Sequence, residues 1–392
     1  MKKFLVIILF LSIFLLSDAF YIDINNNTNN PLSEMNFIYI SYLEYLDNFK
    51  GNSASINKSK IDKIIDNITL YNFNTIIIQV SPFSDAIYNS KIFPYSYTLT
   101  GVEGKNPGFD YLEYFIKKAH QKKIKVHAWI NPYRISSKSD IKTLSEDNPA
   151  LQFLDTENIS ISDKGIYYDP TSELVKQLIE KQVLEIMNNY DIDGIHFDDY
   201  FYVDYEIDNT EYNKYIENNP NISRESYRLM HTNDLIKRVG KLIKEQNNDI
   251  IFSIAPDGNI NNNYKYHYAD VKTWLNEEYI DIIMPQLYYG FDNQYLPFVK
   301  SYNLWNDLIK EESSVRIVPV LAFYKVGSVD NNAGTGKNEW LEKDIIRKQI
   351  LFLKDDTNYY GFGLFRYDYL FNEKFSNDII INELKNIRTL CK

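Results

Sequence analysis

The chain is expected to fold as one (β/α)8 barrel, an α/β architecture with long loops after its third and fourth strands, and three observations carry that expectation. Eight short runs of apolar, β-branched or aromatic residues recur between positions 34 and 392. Amphipathic segments with helical spacing separate most of them. No Gly-x-Gly-x-x-Gly turn follows the first run, although an open nucleotide-binding sheet would call for one. Alternating β and α units demand parallel strands with right-handed crossovers, and eight such units close a barrel.

In chain order, residues 1–19 read as a signal peptide. Met1-Lys2-Lys3 is basic, 4–16 are almost wholly apolar, and Ser17 and Ala19 are the small residues that a signal peptidase reads, so cleavage is expected after Ala19. The apolar run is shorter than the ~18 residues of a spanning helix, so no integral membrane span is expected after its removal. Residues 20–33, rich in asparagine, are expected to form a flexible leader, and the barrel to fill 34–392 of a secreted or cell-surface protein. The strand runs are 36–45, 75–81, 125–131, 194–200, 250–257, 280–288, 316–323 and 361–367. Helical spacing is plain in Ile61, Ile64, Ile65 and Ile68, in Leu112, Phe115, Ile116 and Ala119, and again across 174–187. The connections 135–170 and 203–226 exceed ordinary βα loops. Because a barrel's βα loops open on one face, these two are expected to wall a cleft there.

Composition narrows the function. A net charge of -11 argues against nucleic acid as a partner, since a phosphate backbone calls for a basic face. Aromatic residues make up 15% of the chain, 33 of them tyrosines, and such rings suit stacking on sugars as well as ordinary packing. The one cysteine, Cys391, allows no intramolecular disulfide, so stability must come from the core.

The stretch Tyr190 to Val203 concentrates the chemistry. An apolar strand core through Ile195 and Phe197 ends in two acids, Asp198 and Asp199, at its carboxyl end, where barrel clefts lie. Carboxylates beside a buried strand must be paired, hydrogen-bonded or exposed to a cleft. Alternation turns His196 and Asp198 inward and, on the third strand, His127, Trp129 and Asn131, with Tyr133 and Arg134 above them. The second strand supplies Gln79 and a turn carrying Asp85, the fifth Asp257 and Asn259, the sixth Gln286 and Tyr288, and the eighth Arg366. Such a ring of polar strand ends describes a binding site. Glycosidic hydrolysis needs one protonated and one ionised carboxyl. Asp198 is the expected nucleophile or stabiliser. Its partner as acid/base is Asp199 or, because adjacent side chains diverge on an extended backbone, Asp257. His196 is expected to orient Asp198, and Trp129 to offer a platform for a sugar ring. No cofactor or metal is expected: the His-x-His pair of a metal-dependent barrel hydrolase is missing from the first strand.

Four blocks, Gln79-Val-Ser-Pro-Phe-Ser-Asp-Ala-Ile-Tyr88, His127-Ala-Trp-Ile-Asn-Pro-Tyr-Arg134, Asp193-Gly-Ile-His-Phe-Asp-Asp-Tyr-Phe-Tyr202 and Met284-Pro-Gln-Leu-Tyr288, resemble signature segments of the bacterial glycosyl-hydrolase-like family ten. The resemblance spans roughly residues 35 to 390. It implies a secreted or surface-attached barrel acting on a polysaccharide such as peptidoglycan glycan strands, with Asp198 and Asp199 as the acidic pair of the motif. This chain departs from that pattern at Ser81, where the family commonly has arginine, and at Asp257, where an aromatic is frequent. The alternative from another functional class is a glycan-binding barrel without catalysis, serving adhesion or wall architecture.

Overall fold

The computed structural model describes residues 34–203 and 206–391. The expected signal peptide and leader lie outside the described residues. The body from Met35 onward holds ten short parallel segments hydrogen-bonded in one sheet, and a small antiparallel sheet beside them.

The ten segments are eight strands. Six are continuous: β1 (Met35–Ile40), β2 (Thr75–Ser81), β3 (Lys125–Ile130), β4 (Gly194–Phe197), β5 (Ile251–Ile254) and β8 (Gly361–Leu364). Two are interrupted: β6 (Ile282–Ile283 with Gln286–Leu287) and β7 (Arg316–Ile317 with Val320–Leu321). Pro285 and Pro319 stand at the interruptions, where a residue without an N–H cannot donate to the ladder. Their carbonyls still accept, from Val320 N and Gly363 N at 2.9 Å each, so the strands run on through the prolines. β5 pairs with the first half of β6, both halves of β6 pair with β7, the second half of β7 pairs with β8, and β8 pairs with β1. With β1 through β5 paired in succession, every strand has two neighbours and the cylinder is closed.

Eight helices follow the strands: α1 (Ala54–Leu70), α2 (Tyr111–His120), α3 (Glu173–Asn189), α4 (Arg224–Gln246), α5 (Val271–Asn276), α6 (Phe298–Asn306), α7 (Ile345–Lys354) and α8 (Asp378–Leu390). Side chains of Ser53, Asp110, Ser172, Ser223, Asp270 and Asn377 accept the first free N–H groups of six of them, which is why those helices start where they do. None of the described helices is long and apolar enough to cross a membrane.

Burial follows strand alternation. Phe37, Tyr39, Ile77, Trp129, Met284 and Val320 fill the barrel's interior, while Ile38, Ile40, Ile76, Ile78, Ile195 and Phe197 face the helices. The two long loops have structure of their own. The loop after β3 carries a three-stranded antiparallel sheet (Arg134–Ser136, Gly165–Tyr168, Ile159–Ser162), and the loop after β4 carries a helix (Asn209–Asn218).

The first strand run was expected to reach residue 45, but it stops at Ile40. Ser41 starts a helical turn there: its hydroxyl accepts from Leu43 N at 3.3 Å, and Glu44 accepts from Ser41 N at 2.8 Å. This reciprocal capping box outcompetes the strand propensity of the tyrosines that follow.

Candidate active site

Asp198 is the first residue after β4, at the carboxyl end of the barrel, and only 6% of it is exposed. Both its oxygens accept hydrogen bonds. Oδ2 receives Trp129 Nε1 at 3.2 Å and Asn131 Nδ2, and Oδ1 receives Tyr200 N at 3.3 Å. A chain of amides sets the direction of these bonds. The backbone N–H of Tyr42 can only donate, so the Gln79 oxygen accepts from it at 2.9 Å, and the Gln79 nitrogen then donates to Asn131 Oδ1. Asn131 is left with its NH2 toward Asp198. The carboxyl is met by donors alone, the arrangement that favours its ionised form.

Asp199 lies beside it, half-buried. Burial raises both carboxyls above the usual range. For Asp198 the charge of Asp199 adds to burial; for Asp199 the charge of Asp257 adds to it, while His267 and a hydrogen bond from Gln286 pull the other way. Two such neighbours cannot both ionise cheaply, so they titrate as a pair.

Asp257 differs. Burial raises it, but donors outweigh burial and hold it below the usual range. Asn259 N reaches Oδ1 at 2.7 Å, Asn262 Nδ2 reaches Oδ2 at 2.9 Å, and His267 Nε2 stands 3.8 Å from Oδ2. Burial opposes protonation of His267, yet the charges of Asp257, Asp199 and Asp198 raise it overall. Asp257 is thus a fixed anion paired with a histidine. Asn259 also accepts from Asn261 N at 3.1 Å and shapes the turn that presents Asp257.

Around these acids the structure gathers Gln286, whose amide also donates to Ala255 O at 2.9 Å, and Tyr288, packed edge-on against Tyr324 with ring centroids 5.5 Å apart. Burial raises the Tyr288 hydroxyl, and the charges of Asp198 and Asp199 add to that. Arg134 sits at the rim, its guanidinium 4.6 Å from the Phe83 ring and 4.8 Å from that of Tyr200.

Other residues named from the sequence lie elsewhere. His196 points inward but is fully buried below Asp198, its ring nitrogens 3.0 Å from Tyr39 Oη and 2.8 Å from Ser253 Oγ. His127 lies deeper, against Gly194, where a Cβ would stand 2.6 Å from the imidazole. Burial lowers both, His127 to about 4, so they are neutral interior histidines out of a ligand's reach. Trp129 spends its N–H on Asp198 and sets its ring at 74° to Tyr39; it holds the carboxylate instead of offering a face to a sugar.

Tyr133 is buried in the outer core near Asp169, because period-two alternation ends with β3 at Ile130 and Pro132 turns the chain. Arg366 is committed to Glu44 at 2.5 Å, both buried. Asp85 is fully buried beneath the loop after β2, accepting from Phe83 N at 3.2 Å, and burial pushes it up to about 7. Three contributors went unnamed. Tyr39 was legible from its inward parity on β1, and Tyr200 from its place after the doublet. His267 ends a short polar helical turn (Asn263–His267) that carries no spacing signal.

The Glycosyl hydrolase-like 10 family matches residues 34–338. Among curated proteins, the chain is 30% identical over 333 residues to Glycosyl hydrolase YngK of Bacillus subtilis (strain 168), covering 79% of this chain and 64% of that protein. It is 32% identical over 295 residues to Glycosyl hydrolase DigH of Escherichia coli (strain K12), covering 69% of this chain and 66% of that protein. The chain therefore spans slightly less than two thirds of the length of these relatives. Among solved structures, the glycoside hydrolase domain of PgaB (BpsB) from Bordetella bronchiseptica superposes with a TM-score of 0.56 at 11% identity, over 92% of this chain and 99% of that one, a likeness of fold. The match extends from β1 across the acidic doublet to the loop after β7, and the chain belongs to the glycosyl hydrolase-like 10 family.

Proposed function

We propose that the protein is an exported glycoside hydrolase that cleaves O-glycosyl bonds in a bacterial cell-wall (peptidoglycan-like) or extracellular polysaccharide by carboxylate chemistry. The observation that carries this reading is the buried Asp198, met by N–H donors on both oxygens at the barrel mouth with a second acid beside it.

Cleavage needs an anion at the anomeric carbon and a proton for the leaving oxygen. Asp198 has the donors that sustain an anion. Burial lifts both carboxyls, Asp198 to about 7, and the shared proton goes to Asp199, which delivers it, because Asp198 is the one met by three N–H donors. Asp257, held ionised, is a poor proton donor; it positions His267, whose charge faces Asp199. Of the two candidates for acid/base, the electrostatics therefore favour Asp199. Gln286, Tyr288 and Arg134 line the space where the sugar would sit. Family membership and the names of the curated relatives support the reaction class.

The test is release of reducing ends from purified glycan strands, native and peptide-stripped. Release is the expected result. Saturable binding without release would instead favour a glycan-binding barrel that has lost catalysis.

A further inference from the structure

Among the described residues, Arg134 has no counter-ion in contact. Its guanidinium lies over three rings, Phe83 at 4.6 Å, Tyr200 at 4.8 Å and Tyr42 at 5.8 Å. Among the described residues no carboxylate or carbonyl accepts from its side chain, and its buried Nε has no partner. Arg228 of α4 is matched to Asp208 at 2.6 Å and Arg366 to Glu44, and half-buried Arg316, whose Nε also has no partner, at least gives its Nη1 to Ser313 O at 2.8 Å. Rings covering the faces of a guanidinium leave its N–H groups pointing outward in the plane, where a planar acceptor meets them.

Its position relates it to the reaction. The Tyr200 that covers it is 43% exposed, and that residue's N–H binds Asp198. The cation is close enough for its charge to act on Asp198, the carboxyl proposed to face the anomeric carbon. The near acids do not neutralise it by contact, and Asp257 already has His267. A hydroxyl would engage one of its N–H groups, whereas a carboxylate accepts two in the geometry of the fork.

We propose that Arg134 selects a substrate whose sugar carries a carboxylate, at the ring bound over the acidic pair or at its neighbour. This rests on the cleft being the glycan site. The shared chemistry is a carboxylate on a pyranose, either the C6 acid of a hexuronate or an ether-linked lactate.

The experiment compares kcat/KM, and separately binding, of wild type, Arg134→Met and Arg134→Lys on peptide-stripped wall glycan, on a polyhexuronate, and on both polymers after amidation of their carboxyls. Wild type is expected to prefer an unamidated polymer by roughly tenfold to a hundredfold, the range of one charged hydrogen-bonded contact. In Arg134→Met that preference collapses toward unity, mainly through KM, and Arg134→Lys restores part of it. The polymer that shows the preference identifies the carboxylate. Equal handling of native and amidated polymers by wild type, or an equal loss on both in Arg134→Met, would overturn the proposal. If wild type cleaves neither polymer, the hydrolase reading fails, and the binding arm still decides the role of Arg134.

Discussion

At the scale of single residues, the doublet divides one proton between unequal neighbours. Asp198 accepts from three N–H groups, whereas Asp199 faces the added charge of Asp257. With the shared proton on Asp199, Asp198 ionises beside a neutral neighbour, so replacing Asp199 with Asn, also neutral, leaves that ionisation nearly where it was. In pH profiles of kcat/KM on an aryl glycoside whose leaving group needs no acid, the acid limb of Asp199→Asn is expected to coincide with that of wild type. On natural glycan the variant loses roughly 10²–10⁴-fold. An acid limb moved well below that of wild type would mean that Asp198 ionises second and itself holds the shared proton. Asp85 offers a separate titration. Its folded value of about 7 exceeds the ordinary unfolded value, so the native state binds the extra proton, and stability falls as pH rises from about 4 toward 7. Asp85→Asn is expected to match wild type near pH 4 and to exceed it at pH 8, with the gap growing by about 1.4 kcal/mol per pH unit up to about pH 7 and levelling off above it. Denaturant unfolding at both pH values checks this, and parallel losses in the two proteins would contradict it.

At the scale of elements, the turn after β1 joins the two ends of the described barrel. Glu44 is fully buried and accepts from Ser41, from the Arg366 guanidinium and, at 3.2 Å, from Asp368 N. Glu44→Ala leaves the buried Arg366 with only the more distant Asp368, at 3.9 Å, and is expected to cost about 3–5 kcal/mol of unfolding free energy, with Glu44→Ala/Arg366→Met less damaged than the single variant. A loss under about 1 kcal/mol would contradict the account. This turn also marks a limit of sequence reading. Tyr42, Leu43 and Tyr45 look like strand continuation, and only the Ser41 and Glu44 spacing signals a cap. The other strands were legible because parallel strands covered on both sides read as unbroken apolar runs. Pro285 and Pro319 inside two of them did not mislead, since the ladder passes around each proline.

At the scale of the molecule, closure of the cylinder brings β3, β4, β5 and β6 round one rim, and the acids Asp198, Asp199 and Asp257 meet there although Asp257 is far away in sequence. That meeting was legible, because strand topology alone places carboxyl ends together. Depth was not. Alternation turned His127 and His196 inward but said nothing of how far below the rim they lie, and Gly194 draws His127 down into the interior. Nor could alternation show that Trp129 would spend its indole N–H on Asp198, or that Arg366 would be claimed by Glu44. The most direct measurement of the central claim is reducing-end release from peptide-stripped glycan by Asp198→Asn, alongside its circular dichroism and glycan binding. The account expects release to fall to background while fold and binding persist; release at the wild-type rate from a folded Asp198→Asn protein would contradict it.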